Sequence, residues 1–248
     1  MKLPSSLEFL RRTRAWQSVS DARYLQRERA RRNFYRQFVP CGALVFDIGA
    51  NVGHYTLIFA SLGARVVALE PQDALATGLR RRFYGRTSVK IIRAAVGAVS
   101  STAVLHKAPG QTEIASLRDD LMARSRFAAE HAFSETETVP VTTLDALVEE
   151  HGLPDFCKID VEGFEPAVLA GLSRQLPVIS LEFNREFWSE ALKCLERLEA
   201  LGPYHFNYAL GEAASLASPS WVTGSELRAT LEKEADPLLW GDLYARIN

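Results

Sequence analysis

The 248-residue sequence predicts a doubly wound α/β domain built on a mostly parallel sheet. Three observations carry this prediction. From residue 41 onward, short apolar runs alternate with amphipathic stretches of helical length. The runs are apolar at nearly every position rather than every second one, as in strands covered by helices on both faces. Turn-forming and acidic residues stand at the ends of these runs, where open α/β sheets receive their ligands.

Each element follows in order. Ala43–Ile48 reads as a buried strand and His54–Leu62 as a helix. Arg65–Leu69 is a second strand, Leu75–Phe83 a second helix and Val89–Arg93 a third strand. Residues 107–136 are polar and irregular, a long excursion of the kind that carries function in compact domains, and are expected to form a lid over the ligand site. Asp145–His151 is helical, with Thr142 or Thr143 as its N-cap. Phe156–Asp160 is a strand, Glu165–Leu172 a helix, Pro177–Phe183 a strand and Phe187–Leu201 a helix. Tyr204–Leu210 and Asp242–Ile247 alternate like an antiparallel pair. The chain thus divides into a basic helical extension, residues 1–40, and one domain over residues 41–248.

Composition narrows the classes of function. Hydrophobic residues make up 47% and charged residues 24%, which excludes a fibrous or disordered chain. The net charge of -1 gives no global pull toward nucleic acid or a membrane surface. No apolar run is long enough to span a bilayer, and the first thirty residues hold no signal-like core. Cys41, Cys157 and Cys194 are too few and too scattered for a disulfide framework or a zinc site, so a reducing, cytoplasmic setting is expected. The charge is uneven, however. Residues 1–36 carry ten basic and three acidic side chains, a net +7 on an otherwise acidic chain. Tyr24, Leu25, Phe34, Tyr35 and Phe38 interleave with the arginines as a packing face would, so this arm is expected to dock on the body with its arginines turned to water or to acidic neighbours.

The first strand ends in Asp47-Ile48-Gly49-Ala50-Asn51-Val52-Gly53 and runs into a helix. Glycines permit a tight turn, and the helix N-terminus offers free N–H groups. The second strand ends in Leu69-Glu70-Pro71, with Glu70 at the offset where an acid commonly holds both ribose hydroxyls of a nucleoside. Together they predict an adenosine-containing cofactor. A dinucleotide loop would read G-x-G-x-x-G, whereas this one is G-x-x-x-G with Asp47 ahead of it. A carboxylate repels a pyrophosphate but pairs with the ammonium of an amino acid. S-adenosylmethionine carries that ammonium and a ribose and has no phosphate, so it is preferred over NAD.

The segments VFDIGANVGHYTL, ALEP, TVPVTTLDAL, DFCKIDVEGFEPAVLAGL and ISLEFN resemble the FkbM family of S-adenosylmethionine-dependent methyltransferases. The resemblance runs from about residue 43 to 184, weakens toward GDLYA, and leaves residues 1–40 uncovered. It implies a seven-stranded Rossmann-like sheet with an antiparallel last strand. It also implies methyl transfer, usually to a hydroxyl of a sugar or natural product, with S-adenosylhomocysteine as the by-product. On this resemblance Asp47, Gly49, Asn51 and Gly53 hold the methionine part and Glu70 the ribose. Ala94 to Gly97, Ala95 among them, lie near the adenine. Asp160, Glu162 and Gly163 match the second signature, where the methyl group points.

An alcohol acceptor must lose its proton, which needs a base or a metal. Asp160 and Glu182 end adjacent strands and are expected to stand side by side, one of them the base, with Asp160 preferred for its place opposite the Gly-rich loop. The alternative leaves Asp160 as a helix cap and Glu182 as the partner of Lys158. The same oxygen-rich group offers ligands for Mg²⁺, but a side-chain base is preferred and no metal site is assigned. His54, at the start of the helix after the cofactor loop, is a third candidate; His131, in the polar excursion, is a weaker one. The competing functions are N- or C-methylation on the same fold, or a non-catalytic binding protein built on it. A nucleic-acid acceptor is disfavoured, because no N-P-P-[YF] segment or Pro-Cys nucleophile is present.

Overall fold

The computed structural model describes residues 14–107, 115–117 and 134–247. In chain order the helices are α1 (Arg14–Tyr35), α2 (His54–Ser61), α3 (Asp73–Arg82), α4 (Leu144–His151), α5 (Glu165–Ala170), α6 (Trp188–Leu201) and α7 (Gly224–Glu232). The strands are β1 (Leu44–Ile48), β2 (Arg65–Leu69), β3 (Val89–Ile92), β4 (Ala95–Val96), β5 (Ser101–Lys107), β6 (Ala115–Ser116), β7 (Glu135–Thr142), β8 (Phe156–Ile159), β9 (Val178–Asn184), β10 (Tyr204–Leu210) and β11 (Trp240–Ile247).

Seven strands form the main sheet in the order β10-β11-β9-β8-β1-β2-β3. Neighbours from β9 to β3 are parallel, and β11 enters antiparallel between β9 and β10. The sheet is buried on both faces, as its apolar strands predict. Leu44, Phe46 and Ile48 of β1 join one core with α4, α5, α6 and α7. Val45, between them, joins the opposite core with α2, α3 and the end of α1. Val67 and Leu69 of β2 divide from Val66 and Ala68 in the same way, as the two-residue period of a strand requires. Among the described residues, no helix is long and apolar enough to cross a membrane.

Phe34, Tyr35 and Phe38 at the end of the basic arm are buried in the second core. They pack on Phe59, Phe156 and Tyr244, with the Tyr35 and Tyr244 hydroxyls 3.3 Å apart. Leu25 departs from the expected packing face: it is 54% exposed. It lies more than two turns before the aromatic anchor. The Tyr24 side chain lies outside the description.

Two features were not anticipated. The ends of the polar excursion are paired strands: β5 and β7 run antiparallel from Ser101↔Val141 to Lys107↔Glu135, within a second sheet of order β4-β7-β5-β6. Its side chains are mixed in polarity because one set, Leu105, Val139, Val141 and Ala95 with Ala103 and Leu117, packs into a small core of its own. Most of the expected lid, and His131 with it, lies outside the described residues. The other is α7, which a capping box opens: Glu226 N–H donates to Thr223 Oγ1, and Thr223 N–H donates to the Glu226 carboxylate. Of the two candidate caps for α4, Thr143 is the one that accepts the Ala146 N–H, at 3.1 Å.

Candidate functional site

The loop after β1 is held in place by its neighbours. Gly49 and Ala50 N–H both donate to the Leu69 carbonyl, at 3.0 and 2.8 Å, so the loop is tied to the end of β2. Gly49 has φ +84°, and a Cβ there would lie 1.8 Å from the Asp160 carbonyl oxygen. The glycine thus serves contact between the β1 and β8 loops, rather than room for a ligand. Gly53, at φ +82°, would place a Cβ 2.5 Å from Leu79 Cδ2, so it lets α2 sit against α3. Asp47 is buried and accepts the Thr56 hydroxyl at 2.5 Å. Burial pushes its carboxyl up to about 6, against the pull of that hydrogen bond. Asp47 and Gly53 stand behind the wall of the cavity, while Gly49 and Asn51 line it.

That cavity, of about 300 Å³, opens at the carboxyl ends of the parallel strands. It brings together Gly49, Asn51, His54, Glu70, Ala95, Asp160 and Glu182 from the residues the sequence singles out. Glu70 is 3% exposed and accepts the Asn51 N–H and the Gln72 N–H, each at 2.9 Å. Burial pushes its carboxyl up to about 7, with these two hydrogen bonds opposing. The Asn51 side-chain oxygen is buried without a hydrogen-bond partner. Ala94, Ala95 and Val96 form an apolar wall, joined by Leu105, Leu117 and Phe164, which no sequence signal marks. The lining holds four carboxylates (Glu70, Asp160, Glu162 and Glu182) and, among the described residues, no Lys or Arg.

Three of those carboxylates meet at one end. Ile159 of β8 pairs with Leu181 of β9, which carries Asp160 and Glu182 to neighbouring strand ends. Asp160, Glu162 and Glu182 each offer an oxygen within 4.8 Å of the others, the arrangement among the described residues that suits a metal ion. Glu182 Oε2 is shut off from solvent and has no hydrogen-bond partner. Burial, then the charges of Asp160 and Glu162, raise its carboxyl well above the usual range. Lys158 is the partner of Asp160 and not of Glu182: its Nζ donates to Asp160 Oδ2 at 2.6 Å. Both project from the same face of β8, since they are two residues apart, and this favours each other over a side chain on the next strand. Burial works against the Lys158 charge, but Asp160 and Asp242 outweigh it and hold the ammonium well above its ordinary value. The ammonium also lies 4.3 Å from the centre of the Tyr55 ring. Asp160 does not cap α5, which starts only at Glu165.

Glu165 is the residue that sequence reasoning missed. It is buried, and its Oε1 accepts Val161 N–H at 3.0 Å and Gly163 N–H at 3.3 Å, clamping the loop that carries Asp160 and Glu162. Glu162 takes φ +53° in that loop. The signal was present as a second acid three residues after Glu162, at the start of a helix, where a carboxylate satisfies free N–H groups.

His54 lines the cavity from the α2 side. Its Nε2 lies 2.9 Å from Arg31 Nη1 and 3.1 Å from Glu28 Oε1, both on α1. Burial lowers the imidazole below its ordinary value, with the Glu28 charge opposing. Arg31 also pairs with Glu212, at 3.1 Å, so the basic arm backs His54 from behind the cavity wall.

The family described as methyltransferase FkbM domain matches residues 47–208. No curated protein matches the chain. Among solved structures, a precorrin-6y C5,15-methyltransferase from Geobacter metallireducens is 13% identical, over 89% of this chain and 88% of that one, at a TM-score of 0.48. An O-methyltransferase from Bacillus cereus in complex with SAH is 14% identical, over 100% of this chain and 93% of that one, at a TM-score of 0.46.

Proposed function

This chain belongs to the family of FkbM-domain methyltransferases, and from that premise we propose that it moves the methyl group of S-adenosylmethionine to a hydroxyl on a sugar or small natural product. The observation that carries the choice of cofactor is the lining of the cavity: four carboxylates and, among the described residues, no Lys or Arg. Such a wall repels a pyrophosphate and attracts a cation. When bound, the sulfonium would supply an electrophilic methyl group to an acceptor oxygen, with S-adenosylhomocysteine as the leaving group.

The chain supplies positioning and charge. Glu70 accepts the two ribose hydroxyls on the lone pairs left by Asn51 and Gln72 N–H. Asn51 Oδ1, buried and unpartnered, accepts a donor from the methionine part. Ala94 to Val96, Leu105, Leu117 and Phe164 take the flat apolar base. Asp47 and Gly53 act one layer back, by fixing the loop. Asp160 and Glu182 are the groups we assign to activating the acceptor's hydroxyl at the methyl end. His54 stands on the acceptor side with Nε2 already engaged by Arg31, so its role is that of a wall rather than a base.

Calorimetric titration with S-adenosylhomocysteine tests the reading. Binding on the order of micromolar is expected, and none for NAD. Glu70→Ala should weaken S-adenosylhomocysteine by roughly 2–3 kcal/mol through lost charge-assisted hydrogen bonds. An absence of binding by the unaltered protein would overturn the cofactor, and unchanged affinity in the variant would remove Glu70 from it. With binding in hand, mass spectrometry of a panel of sugars and polyketides, searched for products one methylene heavier, tests the acceptor.

A further inference from the structure

We propose that Asp160, Glu162 and Glu182 form a binding site for a divalent cation, Mg²⁺ or Mn²⁺, which holds the acceptor's oxygen at the methyl end of the cavity. The role of the ion rests on the methyl-transfer reading; its binding rests on the three side chains alone. Their oxygens lie within 4.8 Å of one another. One ion with metal–oxygen bonds of about 2.1 Å reaches all three with small rotations. An all-carboxylate set selects a hard cation over zinc or copper, which favour nitrogen and sulfur.

A second observation points to a ligand. Glu182 lines the cavity, and its Oε2 is sealed from solvent and meets no donor. A buried carboxylate oxygen left in that state costs free energy that a cation would return. Lys158 does not fill this place: its ammonium is committed to Asp160 Oδ2, at 2.6 Å, while Asp160 itself lines the cavity. With no Lys or Arg in the described lining, the remaining negative charge is left for a ligand to balance. The site is also preorganised. Glu165 clamps the backbone on both sides of Glu162, and the β8–β9 pairing sets Asp160 beside Glu182. Mg²⁺ and Mn²⁺ use few protein carboxylates and keep open positions, here for water and an acceptor oxygen.

The rival occupant is the cationic end of the cofactor, and the test separates the two. Mn²⁺ is titrated into the full chain and followed by the loss of the free-ion paramagnetic resonance signal, with and without saturating S-adenosylhomocysteine. The expected result is one site, displaced by Mg²⁺ and retained when S-adenosylhomocysteine is bound. Glu182→Gln and Glu162→Gln, close in shape to the originals, should each weaken Mn²⁺ about tenfold or more, with S-adenosylhomocysteine affinity within about twofold of the unaltered protein as proof of folding. No binding of Mn²⁺ at millimolar concentration overturns the proposal. So does mutual exclusion between Mn²⁺ and S-adenosylhomocysteine, which would give the carboxylates to the cofactor, or Mn²⁺ binding indifferent to both substitutions. If S-adenosylhomocysteine fails to bind while Mn²⁺ binds and both variants lose it, the cofactor reading falls and the cation site stands.

Discussion

Gly49 illustrates how a residue's sequence role and structural role diverge. Its place in a Gly-rich loop suggests room for a ligand, yet the atom its side chain would strike is the Asp160 carbonyl oxygen. Gly49→Ala should therefore destabilise the fold by about 3 kcal/mol or more, since backbone meets backbone and φ is positive. Urea unfolding measures this. A normal unfolding midpoint with lost S-adenosylhomocysteine binding would return the glycine to the ligand. Glu70 carries a pH dependence. With its carboxyl at about 7 in the free protein, the ionised form that we assign to the ribose hydroxyls is a minority below that pH. S-adenosylhomocysteine affinity should climb between about pH 6 and 8, nearly tenfold per unit at the acid end, and the climb should vanish in Glu70→Gln. Free-protein stability responds in the opposite sense. The folded chain holds this proton above the ordinary 4.5, so the contribution falls as pH rises from about 4.5 to 7.

Among the elements, the small sheet has the most direct consequence. Leu105 on β5 and Leu117 just after β6 join the apolar wall of the cavity, packed with Ala95. The small sheet is thus part of the cavity wall. The base is tied down by charge: Glu137 on β7 accepts from Arg93 at 2.8 Å and Lys107 at 2.9 Å. Binding of S-adenosylhomocysteine should slow amide exchange at Leu105 and Leu117 more than in the outer strands β10 and β11. Exchange rates by mass spectrometry decide this, and equal protection of both regions would separate the small sheet from the cofactor.

At the scale of the whole molecule, the basic arm and the domain share one core. The family match begins at residue 47, but Phe34, Tyr35 and Phe38 fill space against Phe59, Phe156 and Tyr244. Loss of each such aromatic costs roughly 3–5 kcal/mol, against a total stability of about 5–15 kcal/mol for a typical domain. A chain starting at residue 41 is expected to be insoluble or to melt far below the full chain in calorimetry. Melting within a few degrees would show the arm to be dispensable. The same arm brings Glu28 and Arg31 to His54, so the packing that stabilises the fold also backs one residue of the cavity lining.

The alternation of apolar runs determined the parallel sheet, and the residues at strand ends determined where its cavity would open, because both depend on local periodicity and turn chemistry. The positions of Glu70, Asn51, Asp160 and Glu182 around that cavity were legible for this reason. Only the tertiary structure decided that Lys158 joins Asp160, that Glu165 clamps the signature loop, and that Asp47 stands behind the wall, since each depends on side-chain direction and depth. It also decided the second sheet. Leu105 and Ala95 come together because β5 and β4 both pair with β7, through Ser101↔Val141 and Ala95↔Val141, and no local pattern records such distant contacts. Leu25 fell on the exposed side because the aromatic anchor at the end of α1 sets the helix's rotation.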